Sequence, residues 1–233
     1  MQSPSLVGVG VIYAGLVLNF YHLSDGFQNP YTHWYCIWKI VPIVFLALFS
    51  YFNGGGAKYD VRLLSALGLI FGATGDYLIG IAPEGLVLAA VSFGIGHIFY
   101  MTQFFGNPIT LHRPSLWTIC AWNTFVGIVC LVPWLLEHFV GVSILILYSF
   151  LLSATLVVSI SQYVAREPNE DPHPLLARLI GFSLFYFSDS ILIIGRTLWR
   201  FPHTDVLCLS TYYAAQYFIL YANILHSFAK KLQ

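Results

Sequence analysis

Long apolar segments separated by short polar breaks occupy nearly the whole chain. About eight of these segments match the roughly 20 residues that a helix needs to cross the hydrocarbon core of a bilayer. Their approximate bounds are 5–22, 34–52, 63–81, 85–105, 116–136, 140–164, 175–198 and 206–228. The breaks at 53–56, 82–84, 107–108 and 167–172 are rich in the Gly, Pro and Asn residues that end helices. The pattern predicts an all-α polytopic membrane protein, a single bundle of about eight transmembrane helices in one domain over residues 1–233.

Composition agrees with a membrane protein. Hydrophobic residues make up 58% of the chain and charged residues 9%, and the mean hydropathy is +0.75. A soluble domain carries about 25% charged residues, because it needs a hydrated surface. The net charge of zero gives no electrostatic reason to expect a nucleic-acid partner. The four cysteines lack CxxC spacing and are expected to be small buried hydrophobes, so the sequence predicts neither a metal nor another cofactor.

The basic residues are distributed unevenly between the two membrane faces. Eight spans place both termini on one face, and the basic residues predicted at that face are Lys58, Arg62, Arg113, Arg166, Arg178, Lys230 and Lys231. The opposite face has Lys39, Arg196 and Arg200, all at helix ends. Because cytosolic segments of membrane proteins are enriched in Lys and Arg, we expect both termini in the cytosol.

Two aspartates interrupt the apolar segments, Asp76 in the third span and Asp189 in the seventh. An ionised carboxylate at this depth costs about 2.5–3.5 kcal/mol or more, so one that is present usually has a function. Both spans start from the predicted cytosolic face, and each aspartate lies about fourteen residues, or roughly 20 Å, along its helix. The two side chains are therefore expected to meet at one level, just past the midplane.

Other polar residues are expected in the same layer. Lys39 lies about a turn and a half in from the opposite face, and His97 lies near the middle of the fourth span. Arg196 follows Asp189 by seven residues, which places both side chains on one helix face. The eighth span adds three further polar side chains in this half of the membrane: Tyr212, Tyr213 and Gln216.

Each of these residues also has a structural explanation. Asp76 and Asp189 fit structural carboxylates that hydrogen bonds, Lys39 or Arg196 satisfy. Lys39 equally fits a side chain that extends to the interface. A histidine such as His97 in an apolar helix is more often a buried hydrogen-bonding group than a catalyst. The tyrosines of the eighth span fit either interfacial packing or the lining of a pocket.

A pair of buried carboxylates suits acid–base chemistry. Two carboxylates in a low-dielectric cavity do not both ionise easily, which leaves one neutral acid beside one anion. Such a pair can donate a proton and then accept one, as acid–base hydrolysis requires. Access from the bilayer favours a lipid-like substrate. Arg196 or Lys39 is suited to hold a phosphate, and aromatic faces are suited to a quaternary ammonium.

Five short motifs resemble those of one family, the lysoplasmalogenases or YhhN-like multi-pass membrane hydrolases. They are Lys39-Ile-Val-Pro42, Gly75-Asp76-Tyr-Leu78, Phe93-Gly-Ile-Gly-His97-Ile-Phe-Tyr100, Phe187-Ser188-Asp189-Ser190 and Thr211-Tyr212-Tyr213-Ala-Ala-Gln216. Each motif alone is weak, but their order and spacing along nearly the whole chain are specific. The chain departs from the family at Gly72, where serine is more common.

The resemblance implies an eight-helix hydrolase that cleaves the vinyl ether bond of lysoplasmalogens, which are lysophospholipids. The products would be a fatty aldehyde and glycerophosphocholine or glycerophosphoethanolamine. It also implies an intracellular membrane, the endoplasmic reticulum of an animal cell. In this hypothesis one aspartate is the acid and the other the stabilising anion, without an assignment of which is which. The predicted catalytic residues are Asp76, Asp189 and His97, and the predicted substrate-binding residues are Lys39, Arg196, Tyr100, Ser188, Tyr212, Tyr213 and Gln216.

Other functions remain open from the sequence. A metal-dependent amidase needs several histidines at ligand spacing, whereas the eight histidines here are dispersed. An intramembrane aspartyl protease also uses two aspartates, but its Gly-x-Gly-Asp element needs glycine where this chain has Ala73 or Thr74. A lipid transporter or lipid-binding receptor would use the same polar layer for binding alone. The oligomeric state is not predicted.

Overall fold

The computed structural model of the chain describes residues 4–28, 30–104, 109–168 and 170–232, and over these ranges it is helical without strands. The helices are α1 (Pro4–Leu23), α2 (His33–Phe52), α3 (Tyr59–Ile81), α4 (Gly85–Thr102), α5 (Arg113–Val126), α6 (Phe139–Val164), α7 (Pro172–Thr197) and α8 (Thr204–Leu232). A 3-10 turn at Gly54–Gly56 precedes α3, and a π turn at Gly127–Leu131 with a 3-10 turn at Val132–Trp134 follows α5. The prediction of an all-α bundle is confirmed.

Within the described ranges, seven helices are long and apolar enough to cross a membrane: α1 to α4, α5 with its continuation to Trp134, α6 and α7. A helix suits this environment because it satisfies its backbone N–H and C=O groups internally. The chain is therefore an integral membrane protein of the polytopic helical type. Its orientation in the membrane remains a prediction.

The remaining helix, α8, is the longest described helix at 29 residues, but it is too polar to be counted with the seven apolar helices. It runs beside α7 and also contacts α3, α2 and α1. Near its start the carbonyl oxygen of Cys208 accepts from Ser188 Oγ, and near its end Ser227 Oγ accepts from the Lys58 amide. These two contacts are about 19 residues apart on α8, or about 28 Å. The helix therefore traverses the full thickness of the bundle, surrounded by protein.

Some predicted helix boundaries differ from the structure. The fifth predicted span, 116–136, is a regular α-helix only to Val126, because Pro133 lacks an amide and leads the chain into a 3-10 turn. The seventh predicted span, 175–198, begins at Pro172 in the structure, three residues earlier than predicted. The Asp171 side chain accepts from the His173 amide, and Pro172 occupies the first turn, so α7 begins before Arg178.

Other boundaries are not described. The predicted end of the fourth span at Phe105 and the break at Asn107-Pro108 lie outside the described residues, as does Asn169 in the break at 167–172. The side chains of Lys230 and Lys231 are also outside the described part.

The structure groups helix ends into two faces with different charge. The Lys58–Ser227 contact joins the start of α3 to the end of α8, and the His112 amide donates to Ser161 at the end of α6. Arg178 near the start of α7 bonds Gln162 at the end of α6. The face formed by these ends therefore has most of the basic residues, and Arg196 and Arg200 lie at the other face. This asymmetry agrees with the predicted orientation.

Helices α3 and α4 approach closely because glycines line their contact. A Cβ on Gly68 would lie 2.3 Å from the Tyr100 ring, and one on Gly96 would lie 2.9 Å from the Gly68 carbonyl oxygen. Close helix approach through small residues is a main source of association inside membranes. Here it also places Tyr100 against α3, beside the polar interior described below.

We predict that Gly68→Ala destabilises the protein by about 1–3 kcal/mol, because the new methyl group displaces the buried Tyr100 ring. The measurement is the apparent melting temperature of detergent-purified protein. Gly94→Ala is the matched control, since its Cβ would meet its nearest neighbours at an ordinary 3.7 Å. Equal melting temperatures for the two variants would contradict the packing argument.

Candidate active site

A cavity lies between α2, α3, α7 and α8 and opens at the face where α2 and α8 begin. We call it the polar cavity. Its buried part is lined chiefly by Lys39, Asp76, Phe93, Ser188, Asp189 and Tyr212. Its exposed mouth is lined by Tyr31, Arg196 and Arg200. The structure thus brings both predicted aspartates into one cavity.

Asp76 is held in a buried ion pair with Lys39. The Lys39 Nζ lies 3.0 Å from Asp76 Oδ1, and the two side chains are 7% and 3% exposed. Nζ also donates to the Asp76 carbonyl oxygen at 3.4 Å. The pair forms because α2 and α3 are in close contact, since a Cβ on Gly80 would lie 3.0 Å from Cys36 Sγ. Lys39 therefore points into the bundle and does not extend to the interface.

A chain of hydrogen bonds leads from α4 through α8 to the same carboxylate. Tyr100 donates to Gln216 Oε1 at 2.8 Å, and Gln216 Nε2 donates to the Tyr212 hydroxyl oxygen at 3.1 Å. Because the Tyr212 oxygen accepts its hydrogen bond from Gln216, the proton of the Tyr212 hydroxyl is free to point toward Asp76. The Asp76 carboxylate lies beside this hydroxyl. No hydrogen bond of regular geometry joins the two, and Asp76 Oδ2 has no partner among the described residues. Asp76 therefore has one oxygen paired with Lys39 and one buried oxygen without a partner in the described part of the chain.

Gly72 leaves room for this hydrogen-bond chain. A Cβ at position 72 would lie 3.1 Å from Gln216 Nε2 and 3.4 Å from the Tyr212 hydroxyl. The serine that is more common at this position in the resembling family would place a hydroxyl among these groups. The substitution therefore touches the polar network as well as helix packing.

Asp189 has different surroundings. Its Oδ2 accepts a short hydrogen bond from the Tyr148 hydroxyl on α6. Within the described ranges no lysine or arginine forms an ion pair with it. The side chain is only partly buried and lines two cavities. The two aspartates therefore differ in charge environment, one with a cation and one with a neutral hydroxyl.

The second cavity is an apolar groove between α4, α6, α7 and the end of α5. It has few polar lining groups, and its apolar walls include Leu86, Ala89, Val126, Leu131 and Ile146. The π turn at Gly127–Leu131 forms part of one wall. Phe93, Asp189 and Leu192 line both this apolar groove and the polar cavity. Asp189 thus lies where a polar space meets an apolar one.

Several predicted site residues lie behind the cavity rather than in its wall. His97 is buried, donates from Nδ1 to the Phe93 carbonyl at 2.9 Å, and stacks edge-on against Phe185 at 4.5 Å. Its Nε2 has no partner in the described part of the chain, and it lines neither the polar cavity nor the apolar groove. The structure therefore does not bring His97 to either aspartate.

Tyr213 and Ser188 hold the helices that carry the site. Tyr213 donates to the Lys39 carbonyl oxygen at 2.8 Å and so fixes α2 against α8. Ser188 donates to the Cys208 carbonyl oxygen at 2.8 Å and fixes α7 against α8. At the mouth, Arg196 donates to the Pro83 carbonyl oxygen at 3.4 Å and remains exposed.

Sequence reasoning missed Tyr148, Arg200 and the apolar groove. Tyr148 lies about nine residues from the start of α6 and Asp189 about eight from the end of α7, so both are roughly 12–14 Å from the same face. The depth argument that paired the aspartates therefore places Tyr148 at the level of Asp189, but it does not show that the two side chains face each other. Nothing in the apolar pattern indicates the groove, which depends on how α5 ends.

We predict that Lys39→Met lowers the free energy of unfolding by about 3–5 kcal/mol, because it leaves the Asp76 carboxylate buried without its cation. The double variant Lys39→Met/Asp76→Asn should recover most of this loss. Melting temperatures in detergent measure both. The exposed pair Arg200–Asp205 provides the control, since Arg200→Met should cost under about 1 kcal/mol. A single Lys39 variant as stable as the wild type would contradict the argument.

Comparison with known proteins identifies one family. The model of the YhhN family matches residues 34–223, a range that includes Lys39, both aspartates, Arg196 and Gln216. No curated protein and no solved structure matches the chain. Because the matched range covers most of the chain, this protein belongs to the YhhN family.

Proposed function

We propose that this protein is a lysoplasmalogenase, which hydrolyses the vinyl ether bond of lysoplasmalogens to a fatty aldehyde and glycerophosphocholine or glycerophosphoethanolamine. The YhhN family includes enzymes of this kind. The observation that carries the proposal is the position of Asp189 at the junction of the polar cavity and the apolar groove. A lysoplasmalogen has its vinyl ether bond at the corresponding junction between its polar head and its hydrocarbon chain.

The surroundings of the two aspartates support an assignment of roles. The Lys39 ammonium stabilises Asp76 as the anion. Asp189 has no such cation, and protonation at Oδ1 would leave Oδ2 free to accept from Tyr148. We therefore assign Asp189 as the general acid and Asp76 as the anion. A tightly coupled pair titrates as a unit, so the assignment describes the state that begins the reaction.

The chemistry needs these two roles. Asp189 delivers its proton to the β-carbon of the vinyl ether, and the C=C bond electrons form the new C–H bond. The resulting oxocarbenium ion is stabilised by the nearby Asp76 carboxylate. A water molecule from the polar cavity adds to this cation and gives up a proton to a carboxylate. The hemiacetal then collapses to aldehyde and alcohol, and Asp189 recovers its proton.

The two cavities fit the two halves of the substrate. The apolar groove is suited to the alkenyl chain, because it is lined mainly by aliphatic and aromatic side chains. The mouth of the polar cavity has Arg196 and Arg200, which are suited to the phosphate. The Lys39 ammonium is buried in its pair with Asp76, so we assign phosphate binding to the exposed Arg196, with Arg200, whose pair with Asp205 is exposed to solvent, as a second cation. The Tyr31 ring at the mouth is suited to a quaternary ammonium head group beyond the phosphate.

The buried residues behind the cavity have positioning roles in this proposal. His97 acts through its bond to the Phe93 carbonyl and its contact with Phe185. Tyr100 and Gln216 orient the Tyr212 hydroxyl toward Asp76. Location in the endoplasmic reticulum is proposed on the family resemblance alone.

The decisive test measures aldehyde release from lysoplasmenylethanolamine by detergent-purified protein. We predict that Asp189→Asn lowers kcat by at least about 100-fold, as loss of a general acid does. Asp76→Asn should have a comparable effect through loss of the stabilising charge. Lys39→Met/Asp76→Asn, which restores neutrality, should be folded and still inactive.

Asp25→Asn is the matched control, because Asp25 is exposed in the loop after α1 and lines neither the polar cavity nor the apolar groove. Wild-type activity in folded Asp189→Asn would rule out the assigned acid. No aldehyde from folded wild type that still binds the lipid would instead favour a transporter or a lipid-binding receptor.

The apolar groove yields a separate prediction. Gly127→Phe should raise KM for substrates with long alkenyl chains at least about fivefold and affect short-chain substrates less, because Gly127 lines the groove and a Cβ there meets no atom within 4 Å. Gly15→Phe on α1 is the control, since its Cβ is also unobstructed. An equal change for all chain lengths would argue against the groove as the chain site.

A further inference from the structure

A polar cavity lies at the opposite end of the bundle from the candidate active site, between α3, α4, α7 and α8. We call it the distal cavity. Its polar lining residues include Lys58, Asp60, Gln103, Arg178, Asn223 and Ser227. It shares no lining residue with the polar cavity or the apolar groove. The proposed reaction does not use the distal cavity.

Arg178 is the central feature of the distal cavity. Arg178 is only 2% exposed to solvent. Nη1 donates to Gln162 Oε1 at 3.1 Å and Nη2 to Asn223 Oδ1 at 3.3 Å. Nε has no partner among the described residues. A guanidinium has five N–H groups, so these two neutral acceptors leave donors unused.

The charge of this guanidinium is not neutralised by protein. Within the described ranges no carboxylate lies within ion-pair distance of Arg178, and the remaining contact is the Phe104 ring, 4.8 Å from the guanidinium carbon. Neutral hydrogen bonds satisfy donors, but they do not replace a counterion. A buried charge without an opposite charge costs several kcal/mol, and arginine cannot lose its proton to avoid it.

Two further features favour an anion at this position. The Lys58 side chain also lines the cavity. Lys58 occupies the N-cap position of α3, but its side chain makes no capping hydrogen bond. It therefore leaves the first backbone N–H groups of this long helix uncapped. The positive end of the helix dipole adds to the two cations. Asp60, in the first turn of α3, is exposed and does not pair with Arg178.

We propose that the distal cavity binds a phosphate group, with the Arg178 guanidinium as its main ligand and Lys58 as a second cation. A guanidinium presents paired N–H groups that match two phosphate oxygens, and the Nε–H is unoccupied for this purpose. The phosphate can come from a soluble phosphate or from the head group of an anionic lipid in the same leaflet. Bound phosphate would link α3 to α7 and, through Asn223, to α8.

The test uses the full chain purified in uncharged detergent and then in phosphatidylcholine nanodiscs. The first arm titrates inorganic phosphate at constant ionic strength, with chloride as reference, and follows the melting temperature. The second arm adds phosphatidic acid to the nanodiscs. A saturable rise in melting temperature is expected, because a ligand that binds only the folded state stabilises it. A response to both probes identifies a soluble source, and a response to phosphatidic acid alone identifies a lipid source.

Arg178→Gln should weaken this binding at least tenfold, and Lys58→Gln about threefold. Arg166→Gln is the matched control, because Arg166 is an exposed cation at the same face that does not line the cavity. If Arg178→Gln does not fold, Arg178→Lys replaces it, since it keeps the charge but loses the paired N–H groups. No saturable response of the wild type to either probe would overturn the proposal. Unchanged phosphate binding in the folded Arg178 variant would also overturn the proposal. Arg178 would then have only a structural role, in joining neighbouring helices.

Discussion

The buried ion pair between Lys39 and Asp76 is the constraint on which the rest of the site depends. Each charge is removed from water, so neither is stable in the bundle without the other. The pair therefore requires α2 and α3 to stay in close contact, which small residues at their interface permit. The Tyr213 hydroxyl donates to the Lys39 carbonyl oxygen and so holds α8 against α2. Gln216, also on α8, accepts from Tyr100 and so holds α8 against α4. A local electrostatic requirement thus fixes four helices.

The same ion pair removes the symmetry between the two aspartates. Two equivalent carboxylates would share protons, and neither would have a fixed role. Here the lysine favours the anion at Asp76, whereas Asp189 has only the neutral Tyr148 hydroxyl. The two carboxylates therefore differ in their surroundings before any ligand binds. Preorganisation of this kind is effective because the surrounding groups need not rearrange as charge develops.

The sequence was informative about depth and much less about rotation. Residue counting places Asp76, Asp189 and Lys39 in one layer, because a helix rises by a constant 1.5 Å per residue. It does not show which way a side chain points around an apolar helix, since such a helix has no distinct polar face. His97 was expected at the aspartates, but its ring turns toward Phe185. Tyr148 was missed for the same reason.

Helix α8 links these observations. Among the described helices that are long enough to cross a membrane, α8 is the one that is too polar to count as an apolar span. Its polar residues serve both ends of the bundle: Tyr212 and Gln216 reach the candidate active site, and Asn223 holds Arg178 in the distal cavity. A lipid-facing helix could not carry these groups without leaving them unsatisfied. Contact with α7, α3, α2 and α1 supplies their partners. The polar residues of α8 therefore find their partners on neighbouring helices, which is the physical reason that this helix lies inside the bundle.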